Sequence, residues 1–322
     1  MRSFVLVAAL ATVGSASLFA SVDRGLLAMV PADAKIVSSI DVTQARSSDF
    51  GQYLLSKTQN DNHDFADFVE QTGFDPRRDL QSLIFESAGP AVDRSQSRFA
   101  ILARGTFDED RIRTTAQAKG GTVETYEGIK LLIPPGNGHK TAVAFPEAGV
   151  AIMADLASMH EILGSRANPI VLDSTLGQQI ERVADNNDAW FVSLLGGGKF
   201  LHGGFDQGAK QPAQAAQAAQ ALQSVLQSSG GIRFGSTVDL TVNAVARSPQ
   251  DATSLADVIR FLASTVQMQR EKDPKAAILA SALDNMNLTS SGDSVHLAIS
   301  IPEKSMEQLA ELGPGAHRRG RR

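Results

Sequence analysis

The chain has 322 residues, 43% of them hydrophobic and 20% charged, a balance that supports packed cores and excludes wholesale disorder. Its formal net charge of −5 gives no electrostatic reason to bind nucleic acid or an anionic membrane. It contains no cysteine, which excludes disulfides, thiol catalysis, cysteine-ligated zinc, iron–sulfur clusters and lipobox lipidation.

Residues 1–20 have the order of a secretory signal peptide: Arg2, an apolar run from Phe4 to Val13, then the small-residue stretch Gly14–Ala20. The run is shorter than the roughly 20 apolar residues of a membrane span. The expectation is cleavage near Ala20 and a mature chain in the periplasm or outside the cell, without a stable membrane span. Leu18, large for the position three before the cut, keeps open an alternative in which the segment stays as a short anchor.

A β-branched segment bounded by turn formers predicts a strand at Ala34–Val42. Helices are expected near Phe50–Lys57 and, from the spacing of Phe65, Phe68 and Val69, across that second stretch. Asp75 followed by Pro76 reads as a cap with proline at the first helical position. A buried strand at Phe99–Gly105 and a helix at Asp108–Lys119 come next. Strands at 122–126, 129–133, 141–145 and 150–153 are then separated by turn residues at hairpin intervals. A helix over 154–163 closes this run.

The remainder repeats the theme. A helix over 175–184 leads to a strand at 189–195, a Gly-rich loop and an Ala/Gln-rich helix. Strands at 232–238 and 240–246, helices at 254–269 and 274–285, a strand at 295–301 and a helix at 304–312 follow. Short sequence echoes link the two stretches in the same order. Leu80-Gln81-Ser82-Leu83 returns as Leu222-Gln223-Ser224-Val225, Ala103-Arg104 as Ala246-Arg247, and Ser158-Met159 as Ser305-Met306. The expected fold is therefore α+β, with two tandem similar halves (21–170 and 171–313), each a mainly antiparallel sheet with helices on one face. A basic tail, 314–322, ends the chain.

The stretch Leu27–Ala34 with its Val-Pro-Ala-Asp opening, Gly73–Leu80 and Ala103–Asp108 resemble uncharacterised exported bacterial proteins with a duplicated α+β layout. The resemblance implies a cell-envelope or secreted setting and brings no activity, cofactor or catalytic residue with it.

Candidate chemistry is sparse. His63 lies near Asp61, Asp64 and Asp67, but the run lacks the central Gly and terminal Glu of a calcium loop, and carboxylates favour helix starts anyway. Gly196-Gly197-Gly198-Lys199-Phe200 fails as a phosphate loop, because Ser193 replaces the first Gly and Phe200 the Ser or Thr. No cofactor or metal is expected. The first expectation is a non-enzymatic binding or scaffold protein with an envelope protein as partner. Trp190, Phe200 and Phe205, around the Gly-rich loop, are the candidate contact residues. One alternative is a small apolar ligand carried between the halves. Another is an exported hydrolase assembled by folding, drawing on His63, Asp64 and Asp67 or on His202 and Asp206.

Overall fold

A computed structural model describes residues 22–58, 63–89, 98–135, 141–166, 170–197 and 213–311. The signal segment, the loop carrying Phe200, His202, Phe205 and Asp206, and the arginine-rich tail lie outside these residues.

The strands are β1 (Ile36–Asp41), β2 (Leu80–Ser87), β3 (Phe99–Gly105), β4 (Thr122–Tyr126), β5 (Ile129–Ile133), β6 (Thr141–Glu147), β7 (Val150–Asp155), β8 (Ala189–Ser193), β9 (Val225–Phe234), β10 (Thr237–Ala246), β11 (Asn287–Ser291) and β12 (Ser294–Pro302). The helices are α1 (Arg24–Leu27), α2 (Val42–Ser47), α3 (Asp49–Thr58), α4 (His63–Thr72), α5 (Pro76–Asp79), α6 (Glu109–Ala118), α7 (Leu156–Gly164), α8 (Ser174–Ala184), α9 (Ala213–Gln223), α10 (Pro249–Met268), α11 (Pro274–Leu283) and α12 (Glu303–Glu311).

Among the described residues the strands form one antiparallel sheet of twelve, in the order β11-β12-β10-β9-β8-β1-β2-β3-β7-β6-β5-β4. The α+β class stands, but the expected two sheets are one. Strands β1 and β8 would otherwise be unpaired edges. They pair with each other from Ile36↔Ser193 to Ile40↔Ala189 and so satisfy the backbone groups an open edge exposes. This central pairing is the seam of the molecule.

Alternation along the paired strands assigns each side chain to a face. On the front face the register pairs Val192 with Val37 and, two residues along, runs from Ile84 through Leu102 to Ile152. All are buried, and with Met159, Ile162 and Leu163 of α7 and Leu176 and Ile180 of α8 they form the larger core. On the back face the register aligns Ala244 with Val295. Ala252, Leu255 and Ala256 of α10 cover that side as a second core. The two wings thus bury opposite faces of one sheet.

Local signals explain most elements. Asp108 caps α6, Asp155 caps α7, Asp173 caps α8 and Ser248 caps α10, each accepting first-turn amides. Asp75 caps α5 as expected, but Pro76–Asp79 is a single turn that runs straight into β2, a strand the sequence pattern did not announce. The β9–β10 turn falls at Gly235-Ser236 rather than at Asp239. Strand β9 begins earlier than its composition suggests because Ser228-Ser229-Gly230-Gly231 lies inside it. A Cβ at Gly230 would sit 2.9 Å from Phe191 Cε1, and one at Gly231 would sit 2.1 Å from the Asn187 side chain. The glycines are there to admit neighbours, not to turn the chain.

Candidate functional site at the seam

The back face of the seam is an apolar groove of about 340 Å³. Ile40 and Leu83 face each other across β1 and β2, and Phe191, Ile232, Leu240 and Val242 continue the surface across β8, β9 and β10. Phe191 lies over Gly230, so the missing side chain on β9 makes room for the ring. These side chains are half-buried, and Val242 is 36% exposed. The groove falls between the wing cores, where neither α7 nor α10 reaches across the seam.

Past Val37 and Val192, one end of the front face of the same strands is polar. A pocket of about 300 Å³ is lined by Asp23, Ser39, Asp41, Thr43, Gln81, Ser82, Arg104, Asn187, Asp188 and Trp190. The Arg104 guanidinium grips Asp23 at 2.9 and 3.2 Å and reaches Glu147 at 3.5 Å. Burial acts to raise the Asp23 carboxyl, but the Arg104 bonds and the Leu26 amide outweigh it and hold the group below its usual range. Asp188 is only 8% exposed. Burial raises its pKa and nearby Asp41 adds to the rise, while the Phe234 amide at 2.6 Å and the Arg233 guanidinium oppose it.

Deeper in the front core, Glu86 stands beside Val37 and is 1% exposed. Its Oε1 has no hydrogen-bond partner among the described residues. Burial pushes its pKa up to about 8, with Asp33, Asp155 and Glu161 adding to the rise and Arg98 opposing it. Arg98 pairs instead with Asp33 at 2.6 Å and with Glu161.

Of the residues expected from sequence to carry function, Trp190 lies in β8, 5% exposed, packed in the front core and bordering both seam cavities. Asp67 is exposed on α4. The side chains of His63 and Asp64 lie outside the described set, as do Phe200, Phe205, His202 and Asp206. Among the described residues no group of three His, Asp or Glu side chains is placed to hold a metal ion, and no helix is long and apolar enough to cross a membrane. The groove residues Ile40, Leu83, Leu240 and Val242 escaped the sequence reading. In sequence they are ordinary alternating strand residues, and only pairing shows that they share an uncovered face.

The chain matches no protein-family description and no curated protein. Its fold is similar to that of TP0453, a Treponema protein, in two crystal forms. Form III gives a TM-score of 0.53 at 11% identity, covering 89% of this chain and 98% of that one. Form IV gives 0.51 at 12% identity, covering 88% and 95%. At such identity the likeness concerns the fold alone.

Proposed function

We propose that this is an exported, non-enzymatic binding protein whose two halves arose by duplication, and that the back-face groove at the seam holds a small apolar ligand. The observation that carries this reading is the apolar groove itself, which straddles β1·β8 where the halves meet. The part of the half-buried strip of Ile40, Leu83, Phe191, Leu240 and Val242 that meets water costs free energy that an apolar occupant would recover, at about 25 cal/mol per Å² covered.

Several features support duplication. Outward from the seam the order is β1-β2-β3-β7 on one side and β8-β9-β10-β12 on the other. Leu80 and Leu222 stand at the entries to β2 and β9, and Ala103 and Ala246 near the ends of β3 and β10. Met159 and Met306 lie in α7 and α12, the helices that follow β7 and β12. Export rests on residues 1–20, and it predicts a mature chain beginning near Ser21. Mass spectrometry of the N-terminus decides this: Met1 retained in a carbonate-resistant membrane fraction would establish the anchored alternative.

The binding reading is tested by organic-solvent extraction of the purified mature chain and by titration with a fluorescent fatty acid. The expected result is one saturable site, lost in Val242→Asp and Leu240→Asp while the fold persists by circular dichroism. A preparation that releases nothing and binds no probe overturns it.

A further inference from the structure

We propose that the front-face pocket at the seam is a second binding site, for a small hydroxylated molecule that carries an ammonium group. It is independent of the apolar groove, being on the opposite side of β1 and β8.

The pocket combines two kinds of unspent bonding capacity. Ser39, Thr43 and Gln81 line it and make no side-chain hydrogen bond among the described residues. Such groups are hydroxyl and amide donors and acceptors suited to a polyol. At one end stand two carboxylates joined through the backbone, since the Asp41 amide donates to the Asp188 carbonyl at 2.7 Å. Among the described residues each carboxylate has one oxygen engaged: Asp41 Oδ1 takes the Gln44 amide at 2.8 Å and Asp188 Oδ2 takes the Phe234 amide at 2.6 Å. The second oxygen of each remains for a ligand.

Among the described residues no cation pairs directly with this end, and Arg233 acts on the Asp188 carboxyl only from a distance. Arg104 is spent on Asp23 and Glu147, and Arg233 on Asp239 at 3.3 Å. Asp188 is more than nine-tenths buried in a cavity of monosaccharide scale, with like charge beside it. A ligand ammonium bound between the two carboxylates would supply a direct counter-charge, and its bonds would be charge-assisted. The hydroxyls of the same molecule would meet Ser39, Thr43 and Gln81.

The protein contains a single tryptophan, and Trp190 borders the pocket, so intrinsic emission reads this site directly. The mature chain is titrated with glucosamine, with glucose as the neutral control. The expected result is a saturable emission change with glucosamine and at least about tenfold weaker binding of glucose. Asp41→Asn and Gln81→Leu should each weaken glucosamine by a similar factor. Val242→Asp, on the opposite face, should leave the titration unchanged even though Trp190 also borders the groove. The Asn substitution keeps an acceptor for the cap, and Gln81 is exposed and bonds nothing among the described residues, so both variants test the site rather than the fold. An unchanged melting midpoint verifies this. No saturable response to glucosamine, an equal response to glucose, or a response unaltered by both pocket variants overturns the proposal.

Discussion

The two wings of the sheet solve one packing problem on opposite sides. Between β3 and β6 the buried residues are Leu102, Ile152 and Ala144 on the front, roofed by α7, whereas around β10 and β12 buried Val295 and partly buried Ala244 lie on the back, roofed by α10. A sheet that buries one face along its whole width leaves one continuous wet surface. This sheet changes sides at the seam, so β1 and β8 carry the end of each core and the start of each uncovered face. That is why an apolar groove and a polar pocket stand back to back around Trp190. The difference between the wings makes the cavities; no loop insertion is needed.

Truncation of large side chains draws the contrast most strongly. Leu102→Ala on the front and Leu255→Ala on the back should each cost about 2–5 kcal/mol, because both remove a fully packed side chain from its own core. Leu240→Ala, on the half-covered groove, should cost under about 1.5 kcal/mol, since less area is buried and little cavity is left. Urea unfolding of the three variants checks this. A Leu240 loss as large as that of Leu102 would mean that the groove is closed core and not a surface.

The wings also differ in how legible they were. In the first, each strand from β3 to β7 was bounded by visible turn residues, and Asp108 marked its helix start. In the second, the β9 boundary was hidden because Gly230 and Gly231 look like a break but accommodate Phe191 and Asn187. Strand β2 was missed because Pro76 announces a helix that lasts one turn, after which Leu80–Ser87 pairs on both sides with β1 and β3. The seam itself was invisible: β1 and β8 lie about 150 residues apart, and nothing in either strand names its partner. For the same reason the sequence singles out Trp190, by its rarity, and passes over Asp41, Asp188 and Leu240, which only pairing brings beside it.

A second contrast is electrostatic, because Glu86 places an acid inside the front core with no buried acid beside the back one among the described residues. Its folded pKa of about 8 exceeds the ordinary value near 4.5. The folded state therefore holds the proton more tightly, and Glu86 favours folding most below the ordinary value. That contribution is lost as the pH rises from about 4.5 through 8, at a rate of about 1.4 kcal/mol per unit. Glu86→Gln keeps the shape and removes the titration. The variant should gain on the parent steadily between pH 5 and 8, by roughly 2–4 kcal/mol in total, and then level off. Denaturation midpoints at a series of pH values read this directly. Parallel curves for the two proteins would show that Glu86 ionises without cost in its site.

The finest comparison sets one helix cap against another. Asp155 opens α7 over the front core, where its carboxylate takes the amides of Ala157, Ser158 and Phe99 and the Ser158 hydroxyl. Burial pushes its pKa up, but these donors outweigh burial and leave it below the ordinary value. Ser248 opens α10 over the back core with a neutral hydroxyl that takes the Asp251 amide at 3.1 Å. Asp155→Ala should cost about 1–2 kcal/mol at neutral pH and Ser248→Ala about 0.5–1. The two should then part with acidity. A depressed carboxyl contributes stability above its ordinary value near 3.8 and loses it as the pH falls through the folded value, so the cost of Asp155→Ala should shrink toward pH 3. Ser248 has no proton to gain there, but its hydroxyl also donates to Asp251 Oδ2 at 3.0 Å, so Ser248→Ala is measured in an Asp251→Asn background, where its cost should stay level. Equal pH dependence of the two variants would show that the front-face cap acts through shape alone and that its charge contributes nothing to the wing it starts.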